Sequence, residues 1–140
     1  MERLLEGKNV VITGSNKGIG KAILRKCAES GANIWACMRT QDDVLTDELK
    51  HIESFNDVWI TPVFFDLGTE EAIASATKQI LSEKKRIDVI INNAGITGPN
   101  QLFMMTPMKN IKEVVIIGLI IDFIGIILSC FAFDLGFMKI

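Results

Sequence analysis

At 140 residues, with 15 basic and 17 acidic side chains and a net charge of −2, the chain has the size of one ordinary domain and no basic run suited to nucleic acid. Cys27, Cys37 and Cys130 are too widely spaced for a disulfide framework or a zinc site, which fits a reducing cytoplasm, and residues 1–8 lead into no signal-peptide core. A hydrophobic fraction of 49% and a mean hydropathy of +0.31 require some elements to be buried on more than one side.

Asn9-Val10-Val11-Ile12-Thr13 reads as a buried strand that stops at Gly14. Ile19, Ala22, Ile23 and Cys27 then fall on one helical face, and Ser30-Gly31 supplies the stop. Residues 33–38 form a second buried strand, and Leu45, Leu49 and Ile52 space a weaker helix. Residues 58–65 read as a third strand, in which Pro62 is tolerated only near an edge or an irregularity. Thr69 is placed to cap the next helix, Glu70 and Glu71 complement its dipole, and Ile73, Ala76, Thr77, Ile80 and Leu81 face inward. Residues 88–92 make a fourth strand. Apolar strands alternating with helices predict an α/β fold, a doubly wound parallel sheet in the order 3-2-1-4 with ligands at the strands' carboxyl ends.

Thr13-Gly14-Ser15-Asn16-Lys17-Gly18-Ile19-Gly20 joins the first strand to the first helix. Gly14 permits the sharp exit, Gly18 a close approach to a pyrophosphate, and Gly20 tight packing of helix on sheet. The helix start then offers free N–H groups and partial positive charge to phosphates. An acid about twenty residues past such a loop would hold a ribose 2′-hydroxyl and select NAD. The second strand instead ends in Met38-Arg39-Thr40. Arg39 can fork onto a 2′-phosphate and Lys17 adds a second positive charge, so NADP is favoured over NAD, although Asp42 or Asp43 could fold back as the ribose acid.

The Gly-x-x-x-Gly-x-Gly spacing after Thr13 and the Asn92-Asn93-Ala94-Gly95 segment closing the fourth strand resemble the short-chain dehydrogenase/reductase family. Within it the look is nearest to 3-oxoacyl-carrier-protein-reductase-like members. The resemblance runs to about residue 113 and implies a Rossmann-like dinucleotide-binding domain. It implies that Asp66 and Leu67 meet the adenine, and that residues 92–95 border the cofactor. The cofactor set is therefore Gly14, Ser15, Asn16, Lys17, Gly18, Ile19, Gly20, Arg39, Thr40, Asp66, Leu67, Asn92, Asn93, Ala94 and Gly95.

The resembled family transfers a hydride with a Ser, a Tyr, a Lys four residues beyond the Tyr, and an assisting Asn. This sequence has no tyrosine, Gly118 falls where the family's Asn is expected, and Ser129 and Lys139 are not spaced to rebuild the set. No catalytic residue and no metal site is therefore assigned. His51 is placed on a solvated helix face, adjacent Glu70 and Glu71 diverge, and Met104, Met105 and Met108 fit core or lid packing. Residues 1–140 thus read as a single incomplete dinucleotide-binding domain, cytoplasmic, with family-like sequence over 1–113 and an apolar tail over 114–140.

In residues 114–133 the only charge is Asp122. The length fits a membrane span, and the many isoleucines offset the aspartate's cost of about 2.5–3.5 kcal/mol. A helix buried against its own sheet and a partner subunit is the favoured reading. A truncated or frame-disrupted reading frame would give the same pattern. Four strands leave the fourth strand's edge open, so an oligomer or a partner-covered edge is expected.

Overall fold

The computed structural model describes residues 3–95, which form four strands and three helices. These are β1 (Asn9–Thr13), α1 (Gly18–Glu29), β2 (Asn33–Met38), α2 (Asp43–Asn56), β3 (Ile60–Phe64), α3 (Glu70–Ser82) and β4 (Val89–Ile91). The sheet is parallel throughout, in the order β3-β2-β1-β4 that the sequence predicts. Pro62 pairs with Ala36 on β3, an edge strand, where its missing N–H leaves no central ladder position empty.

The strands are apolar on both faces because each face meets helices. Val10, Ile12, Ile34, Ala36, Met38 and Ile60 pack with Leu24, Cys27 and Ala28 of α1 and with Leu45, Leu49 and Ile52 of α2. The alternate residues Val11, Trp35, Cys37 and Val63 pack with Ala76 and Ile80 of α3. The period of two along each strand thus sorts side chains between two layers, which makes the sheet doubly wound.

Two helices carry corrections. α1 buries Gly20, Leu24, Cys27 and Ala28, whereas Ile19 is 75% exposed and Ala22 also faces solvent. The close seat of Gly20 on the glycine loop turns the helix so that Leu24, fully buried, leads its inner face. In α3, Ile73, Ala76 and Ile80 are buried, with Thr77 and Leu81 at the margin. Thr69 occupies the N-cap position, but its side chain makes no capping hydrogen bond. In α2 that task is performed by Asp42, whose carboxylate accepts from the Val44 N–H at 2.9 Å.

A polar ladder ties the amino-terminal ends of the strands together. The Asn9 N–H donates to Asp88 at 2.9 Å, Asn33 Nδ2 donates to Asn9 Oδ1 at 3.0 Å, and the Trp59 N–H donates to Asn33 Oδ1 at 3.2 Å. Among the described residues no helix is long and apolar enough to cross a membrane. The segment 114–133 lies outside them, as do Met104, Met105, Met108, Gly118, Ser129, Cys130 and Lys139.

Candidate cofactor site

A cleft of about 490 Å³ opens at the carboxyl ends of the strands. Its walls come from the turn after β1, the end of β2, the segment after β3 and the segment after β4. The sheet order explains this convergence: β1 lies between β2 and β4, so the turn leaving it has a neighbour on either side.

The glycine loop is shaped by close contacts. Gly14 has φ +68°, and a Cβ on it would stand 2.8 Å from the Cα of Ala94. A Cβ on Gly20 would stand 2.1 Å from the Gly14 carbonyl oxygen and 2.4 Å from Asn93 Nδ2. Neither position has room for a larger residue, whereas nothing lies within 4 Å of a Cβ built on Gly18.

Hydrogen bonds fasten this loop to the segment after β4. The Thr13 hydroxyl accepts from the N–H groups of Asn93 and Ala94, each at 3.1 Å. Asn93 Nδ2 donates to the carbonyls of Thr13 and Gly14, each at 3.2 Å. On the other side Ser15 is fully buried, and both its N–H and its hydroxyl donate to the Cys37 carbonyl, at 3.2 and 3.1 Å.

Of the residues expected at a cofactor, Gly14, Asn16, Lys17, Arg39, Thr40, Asp66, Leu67, Ala94 and Gly95 line the cleft together. Ser15, Gly20 and Asn93 instead hold its walls in place through the contacts above. Gly18, Ile19 and Asn92 are exposed and lie outside the lining. Thr13, Cys37, Met38 and Phe65 line the cleft without having been singled out as cofactor contacts. Their position at a strand's carboxyl end was the available signal. Burial pushes the Cys37 thiol up to about 12, so it is a neutral wall group and not a nucleophile.

The electrostatics favour an anion. Lys17 is the N-cap residue of α1, and no acidic side chain stands in that helix's first turn. The positive end of a twelve-residue helix is therefore left uncompensated beside the cleft. Lys17 and Arg39 are both exposed, and neither makes an ion pair among the described residues. Asp42 is engaged as the cap of α2, and Asp66 accepts from the Gly68 N–H at 2.8 Å. His51 lies outside the cleft on exposed α2 surface, its ring stacked on Phe55 with centroids 6.4 Å apart. The lining combines helix N–H groups, Lys17, Arg39 and Thr40 with apolar Met38, Phe65 and Leu67, a mixture whose chemistry suits a ligand with both anionic and flat apolar parts, as a dinucleotide has.

A family model described as short chain dehydrogenase matches residues 8–127. The chain belongs to the short-chain dehydrogenase family. It is 37% identical over 107 residues to an uncharacterised oxidoreductase, YvaG, of Bacillus subtilis, covering 74% of this chain and 38% of that protein. It is 34% identical over 102 residues to the 3-oxoacyl-[acyl-carrier-protein] reductase FabG of Buchnera aphidicola, covering 73% of this chain and 40% of the reductase. Among solved structures it resembles L-sorbose reductase of Gluconobacter frateurii, determined with NADPH and L-sorbose. That likeness has a TM-score of 0.73 at 28% identity and covers 89% of this chain and 48% of the reductase. The chain thus spans about two fifths of the length of these curated relatives. The matched residues 8–127 include both the glycine loop and the Asn92–Gly95 segment, which meet through the Asn93 hydrogen bonds to Thr13 and Gly14.

Proposed function

We propose that this chain is the NADP-binding part of a short-chain oxidoreductase and does not complete hydride transfer by itself. The observation that carries the reading is the pair Lys17 and Arg39, lining one cleft beside the glycine loop with no carboxylate partner among the described residues. A 2′-phosphate would meet two cations there, whereas Asp42, which could have served as a ribose acid, has its carboxylate turned to the Val44 N–H as the cap of α2. L-sorbose reductase was solved with NADPH, which supports the same choice.

The chain's residues hold and orient. The N–H groups at the start of α1 and the Lys17 ammonium neutralise phosphates, Arg39 selects the ribose substituent, and the Thr13–Asn93 bonds keep the two walls in register. NADPH, when bound, supplies the hydride for a carbonyl. The proton that must accompany it comes from no tyrosine of these 140 residues, because there is none. This supports a binding role for the chain and leaves the acid to be provided from outside it. The outer edge of β4, where Val89 is exposed, is one that the tail or another subunit would cover. Buried free thiols at Cys27 and Cys37 suit a cytoplasmic setting.

Titration of the chain with NADPH and with NADH, followed by cofactor fluorescence, tests the reading. A charge-assisted contact contributes about 1.5–3 kcal/mol, so NADPH is expected to bind roughly ten- to a hundredfold more tightly. Arg39→Asp should reverse the preference. Failure to bind either cofactor at millimolar concentration refutes the binding role, and an unchanged ratio in R39D refutes the role of Arg39.

A further inference from the structure

Lys17, the N-cap of α1, is followed at intervals of four by Lys21 and Arg25 on the helix itself, so the cations run along α1 toward its cleft end. Lys21 lies one turn below Lys17, and its N–H donates to the Lys17 carbonyl at 3.3 Å. The lower two cations are held by a single carboxylate from the neighbouring helix. Glu48 of α2 takes the Lys21 ammonium at 2.5 Å and also the Arg25 guanidinium. Lys17, at the top, lines the cleft.

We propose that Glu48 is a specificity-setting residue of the cofactor site, acting through Lys21 to limit the positive field felt by a 2′-phosphate. The inference rests on the NADP reading above. Like charges four apart on a helix repel, and Glu48 offsets that repulsion while confining the uncompensated charge to Lys17 and Arg39. Its hydrogen bond from Lys21 holds the Glu48 carboxyl below the usual carboxylate range, so the group is ionised at neutral pH. Removing the carboxylate does not detach the helices, because Leu24 of α1 packs with Leu45 and Leu49 of α2 in the same buried cluster. The effect of Glu48→Gln is therefore a change of charge and not of position. Lys21 gains freedom to act on the cleft one turn above it.

The test measures dissociation constants of NADPH and NADH for the full chain and for E48Q, K21Q and the double variant, at 10 mM and 500 mM salt. One charge acting on a dianion across about 10 Å of water gives roughly a fourfold effect at low salt, and screening removes it at high salt. The expected result is a rise of roughly two- to fourfold in the preference for NADPH over NADH in E48Q at 10 mM salt, with both cofactors gaining through the pyrophosphate they share. The gain should vanish at 500 mM and should be absent when K21Q is present. An NADPH-to-NADH ratio unchanged in E48Q overturns the inference alone. Weakening of both cofactors at both salts assigns Glu48 a purely structural role and overturns it too. A wild-type chain with no preference for NADPH overturns the NADP reading, and this inference with it.

Discussion

Gly20→Ala is the most demanding test of how the cofactor site is built. The added methyl would stand 2.1 Å from the Gly14 carbonyl oxygen and 2.4 Å from Asn93 Nδ2, and the first of these is backbone. Relief requires α1 to lift off the loop and Asn93 to move as well. Lifting α1 disturbs Leu24, Cys27 and Ala28, all buried under it. Displacing Asn93 breaks its two 3.2 Å hydrogen bonds to Thr13 and Gly14. Overpacking costs about 1–3 kcal/mol and each lost hydrogen bond about 1 kcal/mol, so the change should destabilise by roughly 3–5 kcal/mol. With a urea dependence of about 1–3 kcal/mol/M, the midpoint should fall by at least about 1 M. Gly18→Ala is the internal control: its φ is +55°, but no atom lies within 4 Å of the new methyl, so only backbone strain of about 1–2 kcal/mol is expected. Urea unfolding followed by the fluorescence of Trp35 and Trp59, the chain's two tryptophans, reports both variants. A G20A midpoint equal to wild type, or a larger loss in G18A, would refute the close-packing account of the loop.

Other consequences are independent of the loop. Asn33→Ala removes the bonds to Asn9 and Trp59 and strands the Trp59 N–H, so a loss of about 1–3 kcal/mol is expected in the same urea assay; no loss would mean that the ladder is ornamental. Glu48 and Glu83 should make the fold acid-sensitive. A hydrogen bond from Lys21 lowers the Glu48 carboxyl; burial alone would raise Glu83, but hydrogen bonds from Lys85 and Trp35 outweigh it. Groups lowered by folding stabilise fully above the ordinary carboxylate value of 4.5, and that contribution is lost as pH falls through the lowered values. Urea midpoints from pH 7 to 3 should thus fall below about pH 4.5, and less steeply in E48Q/E83Q; an identical acid slope in that variant counts against the assignment. Burial raises both described thiols, Cys37 to about 12, so in a Cys130→Ser chain a disulfide reagent at pH 8 should label neither until urea unfolds the protein. Rapid labelling of Cys37 in the folded chain would contradict its placement in the wall.

What could be read in the sequence depended on whether a feature leaves a periodic or local trace. The two-sided strands did, since Val10 through Ile12 and Ile34 through Met38 are apolar at every position, and such runs fit only a sheet covered on both faces. Pro62, lacking a ladder donor, limits its strand to an edge or an irregularity, and β3 is an edge strand. On α1 the spacing correctly puts Ile23 and Cys27 against the core but misplaces Ile19 and Ala22, which satisfy helical periodicity as well as Leu24 and Ala28 do. The choice between the faces is made by Gly20, whose missing side chain admits the Gly14 carbonyl, and hydrophobicity does not register a missing side chain. Hydrogen bonds from side chain to distant backbone leave no period at all. Thr13 to Asn93, Ser15 to Cys37 and Asn33 to Trp59 were accordingly invisible until the strands were side by side.

The cleft itself follows from topology more than from any one motif. A parallel sheet delivers every strand's carboxyl end to the same side, and the order β3-β2-β1-β4 puts the β1 turn between those after β2 and β4. Gly14, Arg39, Asp66 and Ala94 are far apart in sequence, yet each follows a strand closely and all line one cleft. Given that convergence, the chemistry is decided by short-range competition for charge. Asp42 caps the start of α2, Glu48 pairs with Lys21 and Arg25, and Asp66, the acid in the cleft's own lining, accepts from the Gly68 N–H. Lys17 and Arg39, at the mouth, make no ion pair among the described residues, and the proposed preference for NADP rests on that charge balance.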